Sequence, residues 1–250
     1  MVLSKIISLN KGQDLFVYSF IYILNFKIVW QFTYSYVEIK KLTFVVARCF
    51  CQQSFIIITF KPSGYFYFMF KNFSPFQSLR TERLQLRKLS LDDAEEIFFL
   101  RSNDEVNKYL DRARANDIDE AIAFINKVNI GVANDNWMYW AICFKDNPQL
   151  IGTICLWNLN EEENKAEIGY ELNPEYQGKG IAKEAVEIII DFGFNILRVE
   201  KIEAYTHKEN LASTKLLEKV KFVRDTHEES KIDFTVENPN TVVYSLYKFC

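Results

Sequence analysis

Two glycines within three positions, in Gln177-Gly178-Lys179-Gly180-Ile181-Ala182, constrain this chain more than any other feature. Only eight glycines occur in 250 residues, so this spacing is a local demand for bare backbone. A strand-like run, Ala166 to Leu172, precedes the loop, and Asn173-Pro174 turns the chain. Ile181, Ala185, Ile188, Ile189 and Phe192 then recur on one helical face. A strand, a glycine loop and a helix in that order aim the helix N-terminus out of a sheet edge. Unpaired N–H groups and the positive end of the helix dipole there suit a phosphate or pyrophosphate. Two other phosphate motifs are excluded. A P-loop would need a glycine at Asn173 and Ser or Thr after the lysine, and a dinucleotide fingerprint would need Gly or Ala at Lys183.

Around this loop the expected order is β-α-α-β-β-β-α-β-α-β-β. A strand is expected over Thr81 to Leu89, and Ser90-x-x-Asp93 is a helix-start signal. Asp117 to Val128 has helical spacing, and Trp137 to Phe144, Leu150 to Trp157 and Ala166 to Leu172 read as strands joined by short links. A strand over Lys201 to Thr206, a helix from Asn210 and strands near Phe222 and over Thr241 to Tyr247 complete the set. The class is α/β of the α+β type, with a mixed, mostly antiparallel central sheet flanked by helices.

Composition separates this region from the residues before it. Residues 1–78 hold 20 of the 39 aromatic residues, with eight Lys/Arg against two Asp/Glu. Residues 79–250 hold 22 against 31, a net −9, which excludes the basic face that nucleic acid requires. Residues 1–78 are expected to be a poorly structured, aromatic-rich extension rather than a folded domain, with 79–248 as the working domain. Neither Leu15 to Phe26 nor Leu42 to Phe60 supplies the roughly 20 apolar residues of a membrane span. Phe, Tyr, Ile, Lys and Asn belong to AT-rich codons, so Met69 is the expected natural start; a membrane-associating extension and a genuine appended element are the alternatives. Cys49-x-Cys51 has no second pair, so no metal site is expected, and the scattered cysteines fit a reducing cytoplasm.

The loop resembles the acetyl-CoA pyrophosphate loop of GNAT acetyltransferases. Ala166-Glu167-Ile168-Gly169-Tyr170, Leu79-Arg80-Thr81-Glu82-Arg83-Leu84 and Asn210-Leu211-Ala212-Ser213 are similar to the branch of ribosomal-protein N-terminal acetyltransferases of the RimJ/RimL type. The resemblance runs from about Leu79 to Lys248. It implies the GNAT fold and acetyl transfer from acetyl-CoA to a primary amine, a protein or peptide N-terminus or a small amine. It also implies that backbone groups of Tyr170 to Leu172 run beside the pantetheine arm, that Gln177, Gly178, Lys179, Gly180, Ile181 and Ala182 hold the pyrophosphate, and that Asn210 contacts CoA. Helix capping would employ Asn210 equally well. Assembly as a homodimer stays open.

Catalytic residues are less clearly marked. Many relatives carry a tyrosine acid where this chain has Leu217, and Ser213 matches a serine proposed for that task. A serine hydroxyl can only relay a proton. Glu167, and after it Glu171, are the carboxylates placed to take the ammonium proton, with solvated strand charges as the alternative; His207 reads as a surface residue. An α-amino group of pKa near 8 is neutral more often at pH 7 than a lysine near 10.4, so an enzyme without a strong base suits N-termini. The departure at Leu217 also admits an acyl-CoA-binding sensor without catalysis. Lys221 stands where the family usually has glycine, so strain or a different helix exit is expected there.

Overall fold

The computed structural model describes residues 75–160, 162–233 and 238–248, and backbone strands at 34–39, 42–48, 55–60 and 66–67. The chain divides into Met1–Asn72 and Phe73–Cys250. In the first unit β1 (Tyr34–Ile39), β2 (Leu42–Arg48), β3 (Phe55–Phe60) and β4 (Phe66–Tyr67) form an antiparallel sheet in chain order. The expectation of a poorly structured extension falls largely on residues outside the described ones, as do Met69 and the Cys49-x-Cys51 pair. No helix among the described residues is long and apolar enough to cross a membrane.

The second unit is a mixed, mostly antiparallel sheet flanked by helices, the class expected. Its eight-stranded sheet runs β11-β12-β10-β9-β8-β7-β6-β5, and every neighbouring pair is antiparallel except β9 with β10. β5 (Leu79–Arg80) and β6 (Leu84–Arg87) replace the single strand expected over Thr81 to Leu89. The Leu84 N–H donates to Thr81 Oγ1 at 2.9 Å, which closes a tight turn that alternation alone does not reveal. Ser90 and Asp93 form the expected capping box ahead of α1 (Ala94–Ser102), with Arg87 gripping the Asp93 carboxylate at 2.6 and 2.8 Å. A short α2 (Asp104–Asn107) follows, unforeseen because four residues carry no period, and then α3 (Ile118–Ala133).

β7 (Met138–Phe144), β8 (Asn147–Asn160) and β9 (Lys165–Leu172) form an antiparallel meander. β8 already begins at Asn147, because Phe144 pairs with Asn147 and only Lys145-Asp146 remain for the turn. α1 and α3 cover one sheet face with Ile97, Leu100, Ala121 and Ile125 against Ala141, Cys143 and Leu150. α4 (Ile181–Asp191) covers the other and runs on through a π-helical turn at Phe192–Leu197, where Phe192 meets the buried Trp140 edge-to-face at 5.2 Å. β10 (Lys201–His207), α5 (Leu211–Lys219), β11 (Val223–Arg224), α6 (Thr226–Glu229) and β12 (Thr241–Tyr247) complete the unit.

One detail of register makes the site. β9 and β10 pair only at Lys201↔Lys165, Ile202↔Ala166 and Glu203↔Glu167. Beyond Glu167 and Glu203 both strands continue, to Leu172 and His207, without pairing each other. Their outer edges stay bound to β8 and β12 along their length. Two facing strand edges therefore diverge, and their inward backbone groups have no ladder partner.

Candidate active site

A cavity of about 490 Å³ occupies this wedge. Ile168 to Leu172 line one wall and Ala204 to Thr206 the other; the glycine loop lies at its mouth, and Asn210 and Ser213 on its α5 side. A free strand edge offers regularly spaced donors and acceptors to an extended ligand with amide groups.

At the mouth Gly178 and Gly180 adopt φ of 71° and 75°, the left-handed region that glycine enters without strain. Gly180 is the N-cap of α4 and no side chain caps that end. The N–H groups of Ile181, Ala182 and Lys183 have no partner within the helix. A Cβ placed on Gly178 would meet nothing within 4 Å, so the backbone there is open to a close approach. These features fit an anionic diphosphate. The Ile181 side chain itself is core, 2% exposed. Gln177 braces the loop: its Nε2 donates to Leu172 O at 3.1 Å.

A second brace was missed in the sequence reading. The Arg83 Nε donates to Glu184 Oε2 at 2.6 Å, its backbone N–H to Glu184 Oε1 at 2.9 Å, and its Nη1 to Lys179 O at 3.1 Å. The Thr81 hydroxyl donates to the same carboxylate. Burial would raise the Glu184 pKa, but these bonds outweigh it and hold the group below its ordinary range. The signal was the Thr81-Glu82-Arg83-Leu84 opening together with an acid four residues after Gly180.

Asn210 caps α5, its Oδ1 accepting from the Ser213 N–H at 3.2 Å, and that bond leaves its side-chain NH₂ for a ligand. Ser213 Oγ lies 2.9 Å from the Tyr170 hydroxyl. Burial pushes the Tyr170 phenol up to about 12, against the opposing pull of that hydrogen bond. The Tyr170 side chain had no assigned role in the sequence reading, and Leu217, the position that the resemblance gives to a tyrosine, is fully buried.

Glu167 and Glu171 share the opposite face of β9, as the alternation implied, but the structure separates their roles. Glu171 accepts from Arg112 Nη2 at 2.6 Å and from Thr153 Oγ1 at 3.1 Å, a committed ion pair. Glu167 lines a second cavity of about 560 Å³ with Tyr109, Trp157, Tyr205 and His207. Leu110, Tyr205 and Thr206 line both cavities, so the two meet where β9 and β10 part. The His207 ring stacks on Tyr109 at 5.4 Å, and its Nδ1 accepts from the Glu209 N–H. Among the described residues no group of three or more His, Cys, Asp or Glu is placed to hold a metal ion.

Residues 83–223 match the sequence profile of the acetyltransferase (GNAT) domain. The uncharacterized N-acetyltransferase p20 of Bacillus licheniformis is 38% identical over 150 residues, covering 60% of this chain and 84% of that protein. The spermidine N(1)-acetyltransferase of Vibrio cholerae is 29% identical over 145 residues, covering 58% and 82%. The crystal structure of a ribosomal-protein-S5-alanine acetyltransferase from Vibrio fischeri superposes with a TM-score of 0.57 at 23% identity, over 68% of this chain and 96% of that one.

Proposed function

The chain belongs to the GNAT acetyltransferase family, and from that premise we propose that the β9–β10 wedge takes acetyl-CoA while the cavity on the Glu167 face takes the amine. The enzyme is an acetyl-CoA-dependent N-acetyltransferase. One observation carries the assignment of sites: a cavity lined by Glu167 and a cavity lined by Tyr170 and Leu172 share Leu110, Tyr205 and Thr206, where the pairing of β9 with β10 stops. A reaction of two substrates needs both held in line at one point.

In this reading the N–H groups at the α4 N-terminus and the bare backbone of Gly178 and Gly180 hold the pyrophosphate. Gln177, Lys179 and Ala182 shape the loop around it, and Asn210 contacts the CoA moiety. The open edge from Tyr170 to Leu172 receives the pantetheine amides and polarises the acyl oxygen. Acetyl-CoA brings an activated thioester. One S–C bond breaks, one N–C bond forms, the amine loses a proton and the thiolate gains one. Glu167, on the amine face, takes the amine proton; Ser213, on the other, faces the sulfur.

The acceptor is a primary amine of cationic character, a peptide N-terminus or a small amine. Asp111, Glu163, Glu167 and Glu228 outnumber Lys165 and Lys231 in the lining, and with Trp157 and Tyr205 they form a net acidic, aromatic wall suited to an ammonium group. The spermidine acetyltransferase among its relatives is consistent with that chemistry.

The test is CoA-thiol release by the full chain given acetyl-CoA and a panel of N-terminal peptides, polyamines and small amines, with Gly180→Glu beside it. Turnover on at least one amine, abolished by Gly180→Glu, is expected. Tight acetyl-CoA binding without turnover on any amine would instead make the chain a sensor, and absence of binding would refute the site.

A further inference from the structure

We propose that Tyr170 is the proton reserve behind Ser213, so that the two hydroxyls act as a relay to the departing thiolate and replace the tyrosine absent at Leu217. The inference rests on the acetyl transfer proposed above and names the source of a proton that Ser213 alone cannot supply. An aliphatic hydroxyl left as an alkoxide is far more basic than a phenolate, whose parent acid has an ordinary pKa of about 10. A serine acting by itself would therefore be left in a costly state.

The geometry removes that obstacle. The Tyr170 hydroxyl lies 2.9 Å from Ser213 Oγ, and both residues line the wedge. The adjacent Thr214 hydroxyl donates back to the Leu211 carbonyl, the common habit of hydroxyls on helices. Ser213 Oγ is paired instead with Tyr170. With Tyr170 as donor, the Ser213 hydrogen is directed into the cavity. As the S–C bond breaks, the Ser213 proton passes to sulfur and the Tyr170 proton passes to Ser213 Oγ. The products are a free thiol, an intact serine and a phenolate, and the phenolate recovers its proton from solvent before the next turnover. The amine proton leaves on the opposite face of β9, so protons balance. Tyr170 is protonated across the neutral range, so the reserve is loaded at the start of each cycle; burial raises the cost of the phenolate, and the hydrogen bond with Ser213 offsets part of that cost. Tyr170 acts through Ser213; Ser213 is the group that touches the sulfur.

Four forms of the full chain test this: wild type, Tyr170→Phe, Ser213→Ala and the double variant. Each single change should lower kcat about a hundredfold, the scale of general acid catalysis, with the KM for acetyl-CoA unchanged. The double variant should be no slower than Ser213→Ala, because the two groups act as a unit. Ser213→Thr, which keeps a hydroxyl, should recover a large part of the rate. A readout independent of turnover is the Tyr170 ring resonance in protein carrying ¹³C-labelled tyrosine, identified by its loss in Tyr170→Phe. Its titration should move to higher pH in Ser213→Ala, since the phenolate, once formed, loses the hydrogen bond that the Ser213 hydroxyl turns to donate to it. Full kcat in Tyr170→Phe, multiplicative losses in the double variant, or an unmoved resonance would each overturn the relay while the transferase reading stands. A wild-type chain inert on every amine would overturn both.

Discussion

Lys221 holds φ at 74°, a conformation that glycine adopts freely and lysine does not. The cause is the end of α5: the Phe222 N–H donates to Leu217 O at 2.9 Å and the Lys221 N–H to Glu218 O at 3.1 Å, a pair of bonds that requires a left-handed residue between helix and strand. The sequence reading offered strain or a different exit, and the exit is the ordinary one with the strain retained. Lys221→Gly should stabilise the protein by about 1 kcal/mol and raise Tm by about 2–4 °C in a unit of this size, read by calorimetry. The Arg83–Glu184 brace is a second single-residue lever. Glu184 accepts from three groups of the β5–β6 turn while standing in the first turn of the helix that carries the anion site. Glu184→Gln loses the charge that holds Arg83, and acetyl-CoA affinity should fall about tenfold, the scale of one charged hydrogen bond, with kcat little changed. Titration of each variant with acetyl-CoA by calorimetry checks this; an unchanged affinity would separate the brace from the loop.

At the scale of elements, the wedge is closed at one end by the short ladder between β9 and β10 and clamped there by charge. Lys201 Nζ lies 2.6 Å from Glu203 and 2.8 Å from Glu228, while Lys165 reaches Glu203 at 3.2 Å, so β10, α6 and β9 are tied together at the point where pairing stops. Burial alone would raise the Glu228 pKa, but hydrogen bonds from Lys201 and Lys231 hold it at about 2 against an ordinary 4.5. A carboxylate depressed in the folded state stabilises it above the unfolded pKa, and that contribution is lost as pH falls from about 4.5 towards 2. Glu228→Gln should therefore flatten the acid arm of the stability profile across that window and leave its slope near pH 7 unchanged, as denaturant titration at several pH values would show. Elements of this kind were legible where the period was long. The buried stripe of α4 was visible in Ile181, Ala185 and Ile189, and the glycine loop in two residues. The divergence of β9 from β10 was not, because no residue marks where a ladder stops; it follows from partners 36 residues apart, such as Glu167 and Glu203. The pairing of Tyr170 with Ser213, across 43 residues, was hidden for the same reason, and Arg112 with Glu171 across 59.

At the scale of the whole molecule, the family resemblance read from the sequence covers the second unit, and the profile match ends inside that unit, at residue 223. That unit carries the two cavities and every residue assigned to the reaction. Its N-terminal margin is set by the contact of Trp140, whose Nε1 donates to Gln77 O at 2.8 Å while Phe76 packs near its ring at 6.1 Å. Chains beginning at residue 69 should match the full chain in kcat/KM, whereas chains beginning at 79 should unfold several degrees lower, having uncovered Trp140 and left its N–H unpaired. Equal Tm for the two would place the margin later. The central claim is that acetyl-CoA lies along the open edge of β9 with its pyrophosphate on the glycine loop. Amide hydrogen exchange of the full chain, with and without saturating acetyl-CoA, tests it most directly. The account predicts strong new protection centred on residues 168–172 and 178–183, absent in Gly180→Glu. Protection elsewhere, with those two segments unchanged, would contradict it.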